Sequence, residues 1–321
     1  MKQKIIIAGA VALLLALIVF MAWDLFFTGN EHPENPYAYD LKALKAGDTS
    51  QVMYLESRHF DPGFKQLYGI TCDKNNQIYV CGENRVAVFD STGKFLSGFT
   101  VEGVAHCITL DEKGQIYLGM QDHLEIYDPS GRLIKKWVSP GDRSVISSVA
   151  VSENFVYIAD AGFKIVHQYD RSGNFIRKTG EKDPSKNIPG FVIPSPYFDL
   201  GMGRNGELWV VNPGRHRFEQ YTEEGDLVTS WGLSSMAMEG FCGCCNPSNF
   251  AILSDGSFVT SEKGIERIKV YFPDGRFRCV VATPDMFTEG TKGLDLAVDS
   301  KDRILVLDPE KNQVRIFVGK N

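Results

Sequence analysis

The chain has 321 residues, 34 Lys and Arg against 40 Asp and Glu, a formal charge of −6 and 43% hydrophobic residues. That apolar share suits one large packed domain and argues against a disordered chain. The acidic balance argues against non-specific binding to nucleic acid or anionic lipid, so a nucleic-acid partner is not expected.

The N-terminus reads as an appendage. Lys2 and Lys4 precede an apolar run from Ile5 to Trp23, closed by Asp24. Nineteen residues at 1.5 Å rise span roughly 28 Å, close to the hydrocarbon thickness of a bilayer. A cleaved signal has a shorter apolar region and small residues at the cut; Phe20-Met-Ala-Trp23 and Leu25-Phe-Phe27 stand there instead. The reading is an uncleaved signal anchor over residues 1–27. Its lysines keep the N-terminus cytoplasmic and send the rest to the extracytoplasmic or periplasmic side. Residues 28–50 carry Pro33, Pro36 and several acids without periodicity, and read as a tether.

Between Gly69 and Phe317 one phrase repeats six times: apolar run, polar turn, apolar run, polar loop. Its centre reads Gln77-Ile-Tyr-Val80, Gln115-Ile-Tyr-Leu118, Phe155-Val-Tyr-Ile158 and Glu207-Leu-Trp-Val210, then more weakly Ser257-Phe-Val-Thr260 and Arg303-Ile-Leu-Val306. A third run ends in a tight turn such as Phe89-Asp-Ser-Thr-Gly93, Tyr127-Asp-Pro-Ser-Gly131 or Tyr169-Asp-Arg-Ser-Gly173. A period of about 40 to 50 residues with four strands per unit is the pattern of a β-propeller. The fold class expected is all-β, a six-bladed propeller at 51–321. The sixth unit lacks a fourth strand, and an unassigned apolar run, Gln51-Val-Met-Tyr-Leu55, precedes the first unit. The N-terminal run is therefore expected to complete the last blade, leaving no open edge.

These repeats resemble NHL repeats, and the resemblance covers about residue 50 to the end. It implies a propeller that binds proteins, RNA or small ligands through one face; a few relatives are metal-dependent lyases or lactonases. In a four-stranded meander the crossovers between blades share a face with the loops joining strands two and three. Two crossovers are long: 182–197, with four prolines, and 232–248. Long loops gathered on one face are more often functional than not. The face residues expected to meet a ligand or partner are His123, Arg215, His216, Glu262, Lys263 and Arg267.

Within the second long crossover lies Phe241-Cys-Gly-Cys-Cys-Asn-Pro247, the most specific chemical signal in the chain. Cys242, Cys244 and Cys245 could converge on one soft metal, with Cys81, His106 or Cys107 as a further ligand; copper, zinc and an iron–sulfur cluster all accept such donors. A disulfide, from Cys242 to Cys245 or from either to Cys81 or Cys107, fits an oxidising compartment and is the commoner use of exported cysteine. Inert packing is the third reading. Seven cysteines are an odd number, so one thiol stays unpaired in a monomer unless something binds it. With Ser261-Glu-Lys-Gly264, the cysteine sentence is similar to a subgroup of bacterial membrane-anchored NHL proteins. Asp199 and Asp295 open the inner strands of blades four and six, and could reach the channel mouth in a manner suited to calcium. No catalytic residue is assigned. The expected function is a membrane-anchored binding scaffold for a membrane or extracytoplasmic protein, or for a ligand. The alternatives are an accessory carrying a Cys-ligated metal or redox centre, and a metal-dependent lyase or lactonase.

Overall fold

The computed structural model describes residues 2–27 and 49–320; the expected tether lies outside the described residues but for its last two. The chain divides into two compact units, residues 1–41 and 42–321. The first holds helix α1 (Lys2–Phe27). Its segment Ile5–Asp24, of mean hydropathy 3.0, is long and apolar enough to cross a membrane. Leu13 and Phe20 are about 70% exposed on this helix (73% and 69%), and the apolar surface runs all round it. An apolar surface on every side is not the one-sided stripe of a helix that packs on a protein core by a single face.

The second unit is a six-bladed propeller. Strand β1 (Tyr54–Phe60) comes first. Blade one is β2 (Leu67–Cys72), β3 (Ile78–Gly82), β4 (Arg85–Phe89) and β5 (Phe95–Thr100). Blade two is β6 (Cys107–Leu110), β7 (Ile116–Gly119), β8 (Leu124–Tyr127) and β9 (Leu133–Lys136). Blade three is β10 (Ile146–Val151), β11 (Phe155–Asp160), β12 (Ile165–Asp170) and β13 (Phe175–Thr179). Blade four is β14 (Leu200–Met202), β15 (Leu208–Asn212), β16 (Arg217–Tyr221) and β17 (Leu227–Trp231). Blade five is β18 (Asn249–Ile252), β19 (Phe258–Ser261), β20 (Ile268–Tyr271) and β21 (Phe277–Ala282). Blade six is β22 (Leu296–Val298), β23 (Ile304–Asp308), β24 (Gln313–Gly319) and, as its outer strand, β1.

The ring closes as the sequence pattern requires, and in two steps. β1 pairs antiparallel with β24 from Tyr54↔Gly319 to Phe60↔Val314. Just before it, Val52 bridges Val280 in β21, and the Met53 amide donates to the Val280 carbonyl at 3.0 Å. One short segment thus fastens the outer strand of blade five to blade six, whose own outer strand it supplies.

Second and third strands are buried on both faces, which is why they read as continuous apolar runs. The outer strands of the first two blades are different. β5 and β9 are exposed along nearly their whole length, with Phe95, Leu133 and Ile134 about half bare, because no further strand packs outside them. The Asp-x-x-Gly turns have a side-chain cause: Asp90 Oδ1 accepts from the Thr92 and Lys94 amides at 2.8 and 3.0 Å. Asp128 and Asp170 repeat the arrangement.

Candidate functional site

The crossovers deliver the chain to the N-terminal ends of the six inner strands, and a cavity of about 640 Å³ opens there. Its wall includes Lys65, Tyr68, His106, Gln121, Tyr197 and Lys292. Tyr68 packs its ring 5.0 Å from that of His106. Burial lowers the His106 pKa, opposed by a hydrogen bond with Gln121. A polar cavity of about 140 Å³ shares Tyr68, His106, Ser147 and Asn249 with it and continues along the inner strands to Asp199 and Asp295.

Those two acids hold the ring together from inside. Asp199 Oδ1 accepts from its neighbour Leu200 at 2.9 Å, and Oδ2 accepts from the Phe250 amide of blade five at 2.8 Å. Asp295 Oδ2 accepts from the Ile70 amide of blade one at 2.8 Å, and Oδ1 from Asn249 at 3.4 Å. Each carboxyl therefore ties its own inner strand to the next blade's. Ser147 does the same between blades three and four, donating to the Phe198 carbonyl at 2.6 Å. Burial pushes Asp199 up to about 6. Burial, then the charge on Asp199, pushes Asp295 up to about 7.

The cysteine loop stands beside the mouth and is fastened to blade five by two devices. Lys269, fully buried, donates to the Met238 and Gly240 carbonyls at 3.0 and 2.6 Å. The Asn246 side chain donates to the carbonyls of Cys242 and Lys263 at 2.6 and 2.9 Å, and accepts from the Lys263 amide at 2.9 Å. Gly243 sits at φ +78°, where a side chain would be strained, and turns the backbone between the thiols. Cys242 consequently faces inward, with Arg267 3.9 Å from its sulfur. Cys244 is exposed and Cys245 buried, their sulfurs 3.0 Å apart. Burial alone would raise the Cys245 thiol, but hydrogen bonds with Ser195, Cys244 and Lys263 hold it below its ordinary pKa.

The other expected ligands lie elsewhere. Cys81 and Cys107 are buried in the cores of blades one and two, both pushed up by burial. They sit where the inner strands approach closely: a Cβ on Gly69 would come 2.9 Å from the Cys81 sulfur and 3.1 Å from the Cys107 Cα. Among the described residues, no three His, Cys, Asp or Glu side chains are grouped to hold a metal ion.

The expected face residues separate into two kinds. Glu262 and Arg267 are only 1% exposed and pair with each other at 2.7 Å, with Lys269 on the second carboxylate oxygen at 2.5 Å. His123 lies between Asp122 and Glu125, at 2.8 and 3.2 Å. His216 bonds the Phe241 carbonyl at 2.8 Å, and burial lowers its pKa. Arg215 is held by the Pro189 carbonyl at 3.3 Å. Lys263 reaches Ser195 Oγ at 3.0 Å, with its ammonium 4.5 Å from the Tyr197 ring centroid. Of the six it is the one that touches the wall of the mouth.

A repeating polar position was not recognised from the sequence. Glu262/Lys269 and Asp308/Arg315 are buried ion pairs, and Asp160/His167 and Asn212/Glu219 buried side-chain contacts at 3.3 and 2.9 Å, each seven residues apart across the hairpin of strands two and three. Asp160, raised by burial but bonded to His167 and Ser144, ends at about 2. The constant spacing was the available signal, two residues before each Tyr or Phe that closes the third strand.

No protein-family model matches the sequence, and no curated protein matches it. Solved structures do share the fold. A streptogramin B lyase superposes with a TM-score of 0.60 at 11% identity, covering 84% of this chain and 98% of its own. Virginiamycin B lyase from Staphylococcus aureus gives 0.57 at 12%, covering 83% and 99%. A structural genomics protein of unknown function from Bacteroides thetaiotaomicron gives 0.61 at 14%, covering 85% and 74%. The class they define is the six-bladed β-propeller. Identities this low carry the fold and leave the activity open.

Proposed function

We propose that this chain is an NHL-type propeller that works as a binding module, anchored in a membrane by residues 1–27 with the N-terminus cytoplasmic. In this reading residues 28–50 are the tether and 51–321 the extracytoplasmic binding domain. The observation that carries it is the 640 Å³ mouth cavity, within the range of roughly 300–1,000 Å³ that small-molecule sites occupy. Its chemistry suggests the occupant. Tyr68, His106 and Tyr197 offer ring faces, Lys65 and Lys292 offer positive charge, and Glu310 supplies one negative group. A planar, anionic organic group fits that wall, whether free or displayed by a membrane or extracytoplasmic partner protein.

A photo-crosslinking amino acid at Tyr68, in the full chain in its native membrane, tests this. Crosslinks are expected there and not from the same group at Asn75, an exposed turn on the opposite face. Equal labelling from both positions, or none from Tyr68, would overturn it. A second reading, an accessory with a copper, zinc or iron–sulfur centre on the cysteine loop, draws on the close approach of Cys244 and Cys245. Stoichiometric metal in the purified chain, lost in Cys244→Ser, would favour it. A solved neighbour is a catalytically inactive variant of virginiamycin B lyase with quinupristin. For this chain a metal-dependent lyase or lactonase is the third reading, supported by shared fold alone; turnover abolished by chelation would raise it.

A further inference from the structure

One pair of reactive groups lies beside the mouth cavity without forming its wall. Cys244 and Cys245 are adjacent in the chain, and their sulfurs lie 3.0 Å apart, one exposed and the other buried. Beside the buried sulfur stand a hydroxyl and an ammonium: Lys263 Nζ holds Ser195 Oγ at 3.0 Å, and both groups favour the thiolate of Cys245. This is asymmetric chemistry on one dithiol, an accessible sulfur beside one whose negative charge is already provided for. Cys242 does not belong to it, since its sulfur faces Arg267.

We propose that Cys244 and Cys245 form a redox-active pair, cycling between the dithiol and a vicinal disulfide by exchange with dithiol and disulfide partners. Exchange proceeds by attack of a thiolate on one disulfide sulfur. In the reducing direction, a partner thiolate attacks the exposed Cys244 sulfur of the oxidised pair. The bond to Cys245 breaks, and Cys245 leaves as a thiolate with its charge received by Lys263 and Ser195. The partner's second thiolate then attacks the partner sulfur of the mixed disulfide. Cys244 leaves as a thiolate and takes a proton from water. The partner dithiol has given up two electrons and become a disulfide, and the protein pair has taken both. The reverse sequence oxidises the protein pair at the expense of a partner disulfide. Consecutive Cα atoms are about 3.8 Å apart, below the usual span of about 4.4–6.8 Å for a disulfide. Such a bridge is easily reduced, which suits a bond made to be exchanged and not a structural staple. The proposal goes beyond the binding reading and does not depend on what occupies the mouth.

The test uses the full chain in detergent, equilibrated in glutathione buffers of stepped potential, acid-quenched, alkylated and mapped by mass spectrometry. The peptide carrying Cys244 and Cys245 is expected to lose two hydrogens in a single two-electron transition, while Cys242 stays alkylated. Cys244→Ser should abolish the transition. Lys263→Gln should slow reduction of the oxidised pair by dithiothreitol several-fold, with circular dichroism confirming an unaltered melt. The wild-type map needs no variant to fold. Full alkylation of both thiols in the most oxidising buffer would overturn the proposal. So would a bridge mapped to Cys242, a persistent glutathione adduct on Cys244, or protection from alkylation relieved only by a chelator.

Discussion

Glu262 and Asp295 are both acids sealed inside the propeller, yet their surroundings are opposite. Glu262 meets two cations, Arg267 at 2.7 Å and Lys269 at 2.5 Å. Asp295 meets backbone and amide N–H groups, and the charge that acts on it is that of a second acid, Asp199. Burying a charge is costly unless a counter-charge comes with it, and an unpaired carboxyl adjusts by holding its proton instead. Blade five sets its acid between two cations and uses one of them, Lys269, to pin a loop, although burial pushes that lysine down to about 8. The channel holds acids that stay protonated to unusually high pH and uses them to join blades. The comparison shows that a buried acid's role follows from its partners more than from its depth.

Removing Glu262 should have the largest effect, because it strands Arg267 and Lys269 in the interior. Glu262→Gln is expected to cost about 3–5 kcal/mol, read as a lowered urea midpoint of the full chain in detergent. Adding Lys269→Met should recover part of the loss, since one of the stranded charges then disappears. An unchanged midpoint in Glu262→Gln would show that the cluster does not hold the blade.

The channel acids should produce a smaller effect of characteristic sign. Their folded pKa values, about 6 and 7, lie above the unfolded value of about 3.9. Between about pH 4 and 7 the native chain keeps protons that the unfolded chain has released, so their contribution favours the fold at low pH. It is lost as pH rises through the folded values, at a cost on the order of 3 kcal/mol per acid. Asp295→Asn keeps an oxygen for the Ile70 amide and removes the titration. Its stability relative to wild type is therefore expected to improve from pH 5 to pH 8. A pH-independent difference would mean that the acid is ionised throughout.

An exposed pair marks the lower end of the scale. Arg276 and Asp274 are 2.7 Å apart, with side chains 76% and 53% exposed. Arg276→Ala should leave the urea midpoint within the scatter of repeated wild-type measurements. A loss comparable to that of Glu262→Gln would mean that partners, and not water exclusion, decide the energy.

Much of this architecture could be read in the sequence because a propeller writes the same strand pattern six times. Register errors in one blade are corrected by the others. The missing fourth strand of blade six and the spare run at Gln51 even located the closure, although the paired strand begins at Tyr54. The site was less legible. Sequence order places Cys242, Cys244 and Cys245 within four residues, but Gly243 and the bonds of Asn246 turn Cys242 away from the other two. Position predicted that Asp199 and Asp295 reach the channel. It did not reveal that their oxygens hold amides of the following blades, because that contact joins residues 51 and 225 positions apart.

The segment from Val52 to Phe60 carries one more implication, a mechanical one. The covalent path from α1 to the propeller enters the ring at its closing strand, so tension on the N-terminal side loads the contacts of Val52 and Met53 with Val280 and then the β1–β24 ladder. Single-molecule pulling from the N-terminus should first release this strand as a short step, roughly 3.5 Å for each residue freed. The ring then opens with β24 and β21 uncovered. Pulling from an internal loop should show no such prelude. For a propeller tethered this way, the latch that shuts the ring is also its handle.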